Sequence, residues 1–507
     1  MNPMSPNDSS RKNAELVFGL VAPIGTDANK VAENLVSQLM EFGYKTRVIR
    51  LSDFIEPMSA MLGLNCVLSD SPEHDRIFSR IKASNAAHQA FNAVSEPQNH
   101  NVMLALAAVE QIAAERKERA PGDALLNEAH VLVTLKRSEE VATLRSIYGH
   151  GFHLVGVFAT EEERIKYLHR HKEMSLDEAA HLVLIDSNDH EIGGQRTGEA
   201  FHLSDVFLDV GAEHDDWKDQ LGRFLDVLFS HPYKTPTRDE QAMFMAFSAS
   251  LRSAQLGRQV GAAITSTEGD ILSVGCNEVP KSGGGQYWEG DQGDERDHIK
   301  GHDSNDARKN AILNEIMNTL PGKLPQREEI RTAITKTSLF AITEFGRAVH
   351  AEMEAILSCA RKGISTVGRV LYTTTFPCHN CARHIIGAGI AKVVYIEPYP
   401  KSKAKELHED AMEVGESART NNSFAIPFVP FVGISPSKYS LLFTARPVYS
   451  QEVSRKLKSG HAIDWQRSKT QLRTSMIPIS YVEREIRAIS SLKTTFRQLP
   501  LGLSESE

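Results

Sequence analysis

Residues Thr373–Ile386 read TTTFPCHNCARHII. Cys378 and Cys381 stand three positions apart behind Pro377, at the head of an apolar-patterned segment. Taken alone, a C-x-x-C pair is a metal clip, a redox pair or packing. The choice between them settles the fold and chemistry of most of the chain, and the flanking sequence makes it.

Upstream lies AVHAEMEAILSCARKG, Ala348 to Gly363, in which His350 and Glu352 are spaced H-x-E. H-x-E followed by P-C-x-x-C is the signature of zinc nucleobase deaminases. The chemistry needs these residue types. One imidazole and two thiolates leave a fourth position on Zn²⁺ open for water, whose pKa the ion lowers to about 7. A structural zinc would fill all four places. The C-x-x-C spacing lets both thiolates reach one ion across the first turn of a helix, where free N–H groups and the dipole favour thiolate. Residues two apart inside a helix point to nearly opposite sides. His350 and Glu352 therefore face one site only if His350 stands at the helix start. Glu352 can then carry protons beside the ion without binding it. The candidates are Glu352 as catalytic residue, with His350, Cys378 and Cys381 as ligands of a Zn²⁺ cofactor. His379 and His384 read as a variable loop position and a helix-face residue. Cys359 and Cys276 read as packing.

The frame around the motif is α/β. VLYTTT and KVVYIEPY are strands flanking it. QVGAAITSTEGDILSVGCNE reads as two strands across a polar turn, preceded by the helical DEQAMFMAFSASLRSAQL. Pro280 to Ser304 is rich in Gly, Asp and Lys and reads as a long loop, of the kind that is functional or disordered. Toward the N-terminus, ELVFGLVAPIG is a buried strand running into a loop. DANKVAENLVSQLMEFGYK follows with helical spacing, Asp27 as cap and Gly43 as stop. TRVIRLSDFI, AHVLVTLKR and FHLVGVFAT add strands, the last two separated by the helical SEEVATLRSIYG. Strands alternating with helices predict a parallel sheet. The expected domains are 1–230, 238–450 and an extension, 451–507, in which YVEREIRAIS forms a terminal helix.

Composition sets outer bounds. The chain has 507 residues, a net charge of −8, 41% hydrophobic and 7% aromatic residues. That balance does not advertise nucleic-acid or acidic-membrane binding. Five cysteines are too few for a disulfide framework of this size and fit a reducing cytoplasm. The start, MNPMSPNDSSRKNAE, lacks the apolar core of a signal peptide, and no apolar run near ~20 residues predicts a membrane span.

SLRSAQLGRQVGAAITSTEGDILSVGCNEVP, HAEMEAI and TTTFPCHNCARHIIGAGIAKVVYIEPYPKS together resemble the deoxycytidylate deaminase branch, over roughly Asp239 to Phe443. The resemblance implies a cytidine-deaminase-like α/β/α domain. It assigns Asn277 to the sugar-phosphate part of the substrate and Ala351 to substrate binding. The family's usual Asn is replaced here by Glu354. The N-terminal unit, fused to such a domain, resembles that of bacterial antiphage dCTP deaminases. This implies a P-loop NTPase-like parallel sheet and deamination of dCTP, with dCMP a second substrate. It also implies a homo-oligomer and a regulatory small RNA or nucleotide on the first domain. Arg252, Arg258, Arg347, Lys401, Lys403 and Lys405 are candidate phosphate contacts.

GLVAPIGTDANK resembles a degraded phosphate loop, with Gly25 and Thr26 as candidate nucleotide contacts. Against G-x-x-x-x-G-K-[ST], Ala28 stands where Lys belongs and Asn29 where Ser belongs, and Lys30 comes two positions late. The frame and the later LIDSNDHEIGGQRTGEAFHLSDVFLDVG resemble nucleoside-monophosphate kinase folds. A binding scaffold is favoured over hydrolysis.

Overall fold

The computed structural model describes residues 14–119, 125–188, 197–211, 216–321, 326–337, 340, 342, 344–396, 402–415, 424–445, 453–470, 472–473 and 478–497. The chain forms two compact units. One comprises Met1–Glu240, Glu397–Tyr399 and Phe431–Glu507, the other Gln241–Ile396 and Pro400–Pro430.

The first unit is built on a six-stranded sheet. Its strands are β1 (Leu16–Val21), β2 (Lys45–Arg50), β3 (Glu128–Leu135), β4 (Phe152–Phe158) and β5 (Val206–Asp209), with the short β12 (Gly433–Ile434) at the edge. The order is β12-β5-β4-β1-β3-β2, and every pairing is parallel except β12 with β5. All six residues of β1 are buried, as a central parallel strand covered on both faces requires. Asp27 caps the helix Ala28–Glu41 by accepting the Lys30 N–H at 3.1 Å. β2 ends at Arg50, earlier than TRVIRLSDFI suggests, because Leu51–Phe54 turns into a 3₁₀ helix.

The link from β2 to β3 carries two long helices, Glu73–Val94 and Met103–Arg119, to which the sequence reading assigned no element. The first seven residues of the second are all buried, so its first two turns have no single apolar stripe to betray their period.

The boundary expected at 450 is displaced. The chain rejoins the first unit at Phe431, where β12 pairs with β5, and the residues beyond 450 belong to that unit and are not a separate extension. The helix Pro478–Arg497 lies against Met103–Arg119. A buried ion network holds it there. Arg116 donates to Glu15 at 2.9 and 3.0 Å and to Glu485 at 3.0 Å, and Glu15 also meets His130 and the Tyr481 hydroxyl, each at 2.9 Å.

The second unit has a mixed sheet of β6 (Gly261–Thr265), β7 (Ile271–Cys276), β8 (Val370–Thr373), β9 (Lys392–Tyr395), β10 (Met412–Val414) and β11 (Ile426–Pro430), in the order β10-β11-β9-β8-β6-β7. β6 and β7 form the expected antiparallel hairpin, and β8, β9, β11 and β10 run parallel. Helices Ala351–Arg361 and His379–Gly387 contribute Ala351, Ala355, Cys359, Cys381 and Ile385 to one apolar core with Leu371, Val393 and Phe428. Among the described residues no helix is long and apolar enough to cross a membrane.

Candidate active site

Two helix starts converge. His350 is the N-cap of Ala351–Arg361, with extended backbone (φ −67°, ψ 156°), and Cys378 is the N-cap of His379–Gly387, again extended (φ −70°, ψ 166°). Because His350 is not yet helical, its side chain and that of Glu352 can point the same way, which their spacing would forbid one turn later. His350 Nδ1 lies 3.4 Å from Cys378 Sγ and 3.3 Å from Cys381 Sγ. Among the described residues these three are the group whose donor atoms, all within 4.8 Å of one another, suit a metal ion. Donors about 2.0–2.3 Å from a tetrahedral Zn²⁺ stand roughly 3.5 Å apart, so the set fits that ion. Glu352 is 4% exposed, and its Oε2 lies 3.4 Å from Cys381 Sγ.

Electrostatics divide the pair. The Cys378 thiol is held down to about 3, first by the hydrogen bond from Cys381 and then by His350, while the Cys381 thiol that donates this bond is pushed up by it and by burial. The free N–H groups of the helix that Cys378 begins also favour its thiolate. A dication held by His350, Cys378 and Cys381 would favour the thiolate form of both sulfurs. Burial raises the Glu352 carboxyl above its ordinary range, which would suit a general acid–base group.

The surrounding contacts hold the ligands in place. Gly275 on β7 faces the first turn of the His350 helix. A Cβ there would stand 2.3 Å from the Ala351 carbonyl oxygen and 2.5 Å from the Ala355 nitrogen. Val349, which precedes the ligand histidine, pairs with Glu278 through both backbone hydrogen bonds, at 3.0 and 3.2 Å. The buried Glu278 carboxylate in turn accepts the Ala254 and Val279 N–H groups, each at 2.8 Å. Phe376, two residues before Cys378, meets Tyr395 edge-on with ring centroids 4.8 Å apart. Gly275 and Glu278 went unnoticed in the sequence. Their only signal is position, immediately before and after Cys276-Asn277.

Asn277 is half-buried. Its Oδ1 accepts the Val260 N–H at 2.7 Å, and its Nδ2 donates to the Arg258 carbonyl at 2.8 Å. Ala351 is fully buried, its carbonyl against Gly275. Glu354 is buried and paired with Arg361. Among the candidate cations, Arg347 donates to Asp297 at 3.0 Å, Lys403 to Glu406 at 2.9 Å, and Arg252 to Gln286 at 3.0 Å while lying 3.7 Å from the Trp288 ring centroid. Arg258 and Lys405 are exposed, and Lys401 lies outside the described residues. In the first unit, Gly25 and Thr26 line a cavity of about 380 Å³.

Residues 236–397 match the family model of the cytidine and deoxycytidylate deaminase zinc-binding region. The deoxycytidylate deaminase of Enterobacteria phage T2 is 31% identical over 166 residues, which cover 31% of this chain and 79% of that protein. ComE operon protein 2 of Bacillus subtilis is 47% identical over 66 residues, 13% of this chain and 35% of that protein. The mouse deoxycytidylate deaminase is 28% identical over 157 residues, 31% of this chain and 63% of its own length. Among solved structures, the dCMP deaminase of cyanophage S-TIM5 is similar at 18% identity and a TM-score of 0.22, covering 39% of this chain and all of that one. The chain belongs to the cytidine and deoxycytidylate deaminase family, and Zn²⁺ is its cofactor.

Proposed function

We propose that this chain hydrolyses the 4-amino group of free cytosine deoxynucleotides. The principal reaction is dCTP to dUTP, with dCMP to dUMP as the second, and its role is to deplete dCTP in defence against phage. The observation that carries the reading is the buried Glu352 carboxyl beside the His350, Cys378 and Cys381 donors. Bound zinc supplies a nucleophilic hydroxide at neutral pH. The rest falls to Glu352. It takes a proton from the attacking water at a carboxylate oxygen and delivers it to N3 of the ring. The second water proton leaves with the amino group as ammonia, while the water oxygen becomes the C4 carbonyl. His350 and the two cysteines hold the reacting centre at the head of two helices. Asn277 serves the substrate by clasping the Arg258–Val260 segment.

The dCTP and antiphage parts rest on the likeness of the two-domain chain to the antiphage enzymes. The relatives' own names favour a second reading, a deoxycytidylate deaminase of ordinary nucleotide metabolism whose first unit is regulatory. In either case the chain works in the cytoplasm as a homo-oligomer, with a small RNA or nucleotide acting on the first unit.

Ammonia release from zinc-loaded protein tests this, with dCTP, dCMP, CTP, deoxycytidine and single-stranded DNA offered in parallel. Turnover of dCTP, alone or with dCMP, supports pool depletion. Turnover of dCMP alone supports the metabolic reading. Turnover of the oligonucleotide alone contradicts both.

A further inference from the structure

The 380 Å³ cavity of the first unit opens at the carboxyl ends of β1, β2 and β3, the edge at which open parallel sheets take ligands. The volume suits a mononucleotide. Six cations line it: Arg50, Arg76, Arg80, Lys136, Arg137 and Lys172. Four carboxylates face them, and two of these are committed to backbone N–H groups. Asp27 caps its helix, and Glu140 accepts the Lys136 and Arg137 N–H groups at 3.0 and 3.1 Å. The cavity also has apolar and aromatic lining, from Ile24, Ile77, Leu104 and Tyr167. A lining that combines cations with apolar and aromatic side chains suits a base carrying phosphates.

In a phosphate loop, the backbone N–H groups after β1 would grip the phosphates. Here the loop already holds an anion of the protein's own. The Ile24 N–H donates to the fully buried Asp186 carboxylate at 2.8 Å. Lys136 Nζ donates to the same carboxylate at 3.0 Å and to the Ala22 carbonyl at 2.7 Å, and Arg164 stands 3.7 Å from it. The Thr26 hydroxyl turns back onto the Pro23 carbonyl at 2.6 Å. Gly25 has φ +88° and lies against Arg164, where a Cβ would come within 2.8 Å of that residue's Cβ and carbonyl oxygen. Glu73 takes Arg76 in a two-point pair and stands 3.9 Å from Lys172, so one carboxylate serves both cations. Arg80 donates to the Ser69 and Arg76 carbonyls at 3.1 and 3.2 Å and stands 3.6 Å from the exposed Asp70 carboxylate.

We infer that the first unit binds a nucleoside polyphosphate in this cavity, its phosphates on Arg76, Arg80 and Lys172 and not on the β1 loop, without phosphoryl transfer. This rests on the reading of the first unit as regulatory and not on the deamination reaction. Binding heat therefore tests it whether or not the chain turns over cytosine nucleotides.

The test is calorimetric titration of the full zinc-loaded chain with ATP, GTP and inorganic pyrophosphate, none of which carries cytosine. ATP or GTP should fill one site per chain. Arg80→Ala with Lys172→Ala should weaken it at least tenfold without lowering the melting temperature. Thr26→Ala, and Arg47→Ala outside the cavity, should bind as wild type does. If the double variant fails to fold, Arg80→Gln and Lys172→Gln singly should each weaken binding several-fold. Absence of binding by both nucleotides, binding that survives the cation variants, or binding lost in Thr26→Ala overturns the assignment. Pyrophosphate bound as tightly as ATP and GTP overturns its base-binding half.

Discussion

Glu352 Oε2 lies 3.4 Å from Cys381 Sγ, and both side chains are buried. The proposed proton carrier thus stands beside a proposed metal ligand without belonging to the ligand set. The arrangement depends on His350 being a helix cap and Glu352 lying within the first helical turn. One ion then ties two helix starts that are otherwise joined through their packing on the sheet.

Removing zinc should therefore loosen both helices. On chelation, hydrogen exchange should quicken in Ala351–Arg361 and His379–Gly387 while β1, β3 and β4 stay protected, and added Zn²⁺ should restore both protection and turnover. Cys378→Ser should mimic the chelated state and bind less than one zinc per chain.

Gly275→Ala tests the close approach of β7 to the ligand helix. The new Cβ meets backbone atoms at 2.3 and 2.5 Å and cannot be relieved by a side-chain rotation. A loss of about 1–3 kcal/mol in the second unit, seen in urea unfolding, is expected, with a weaker hold on zinc.

Asn277→Ala removes a clasp with two hydrogen bonds, to Val260 and Arg258. Urea unfolding should show a loss of about 1–3 kcal/mol in the second unit, together with a higher KM. A higher KM at unchanged stability would instead mean that the amide binds substrate directly.

The acid limb of stability should belong to Glu15. Burial pushes its carboxyl up, but hydrogen bonds from His130 and Arg116 more than reverse this and hold it at about 2, against 4.5 for an ordinary glutamate. A depressed carboxyl stabilises the fold above 4.5, and that stabilisation drains away as pH falls toward about 2. The shift corresponds to roughly 3 kcal/mol. Glu485, raised by burial, works in the opposite sense. Comparing wild type with Glu15→Gln isolates the first effect: the stability gap should be wide at pH 7 and shrink steadily below pH 4.5.

Much of the metal centre was legible because its chemistry fixes residue type and spacing together. His350, Cys378 and Cys381 reach one ion only at a helix start and across a helix's first turn, and both constraints are written locally. β1, β3, β4 and the β6–β7 hairpin were legible from apolar runs of strand length. What stayed hidden depends on contacts distant in sequence. Gly275 matters only because the Ala351 carbonyl lies against it, and Glu278 only because Val349 pairs with it. The return of the chain at Phe431 rests on a strand of two residues, too short to carry a period. Asp186, which occupies the β1 loop, lies 162 residues from the Ile24 N–H it accepts.

The most direct measurement compares Glu352→Gln with wild type for zinc content and for ammonia release from dCTP and dCMP. The variant should bind one zinc per chain, fold as wild type does, and lose turnover by about 10²–10⁴-fold, the range for removing a general acid–base group. A variant that keeps its zinc and turns over at the wild-type rate would contradict the assignment of the proton-carrying role to Glu352, and with it the mechanism.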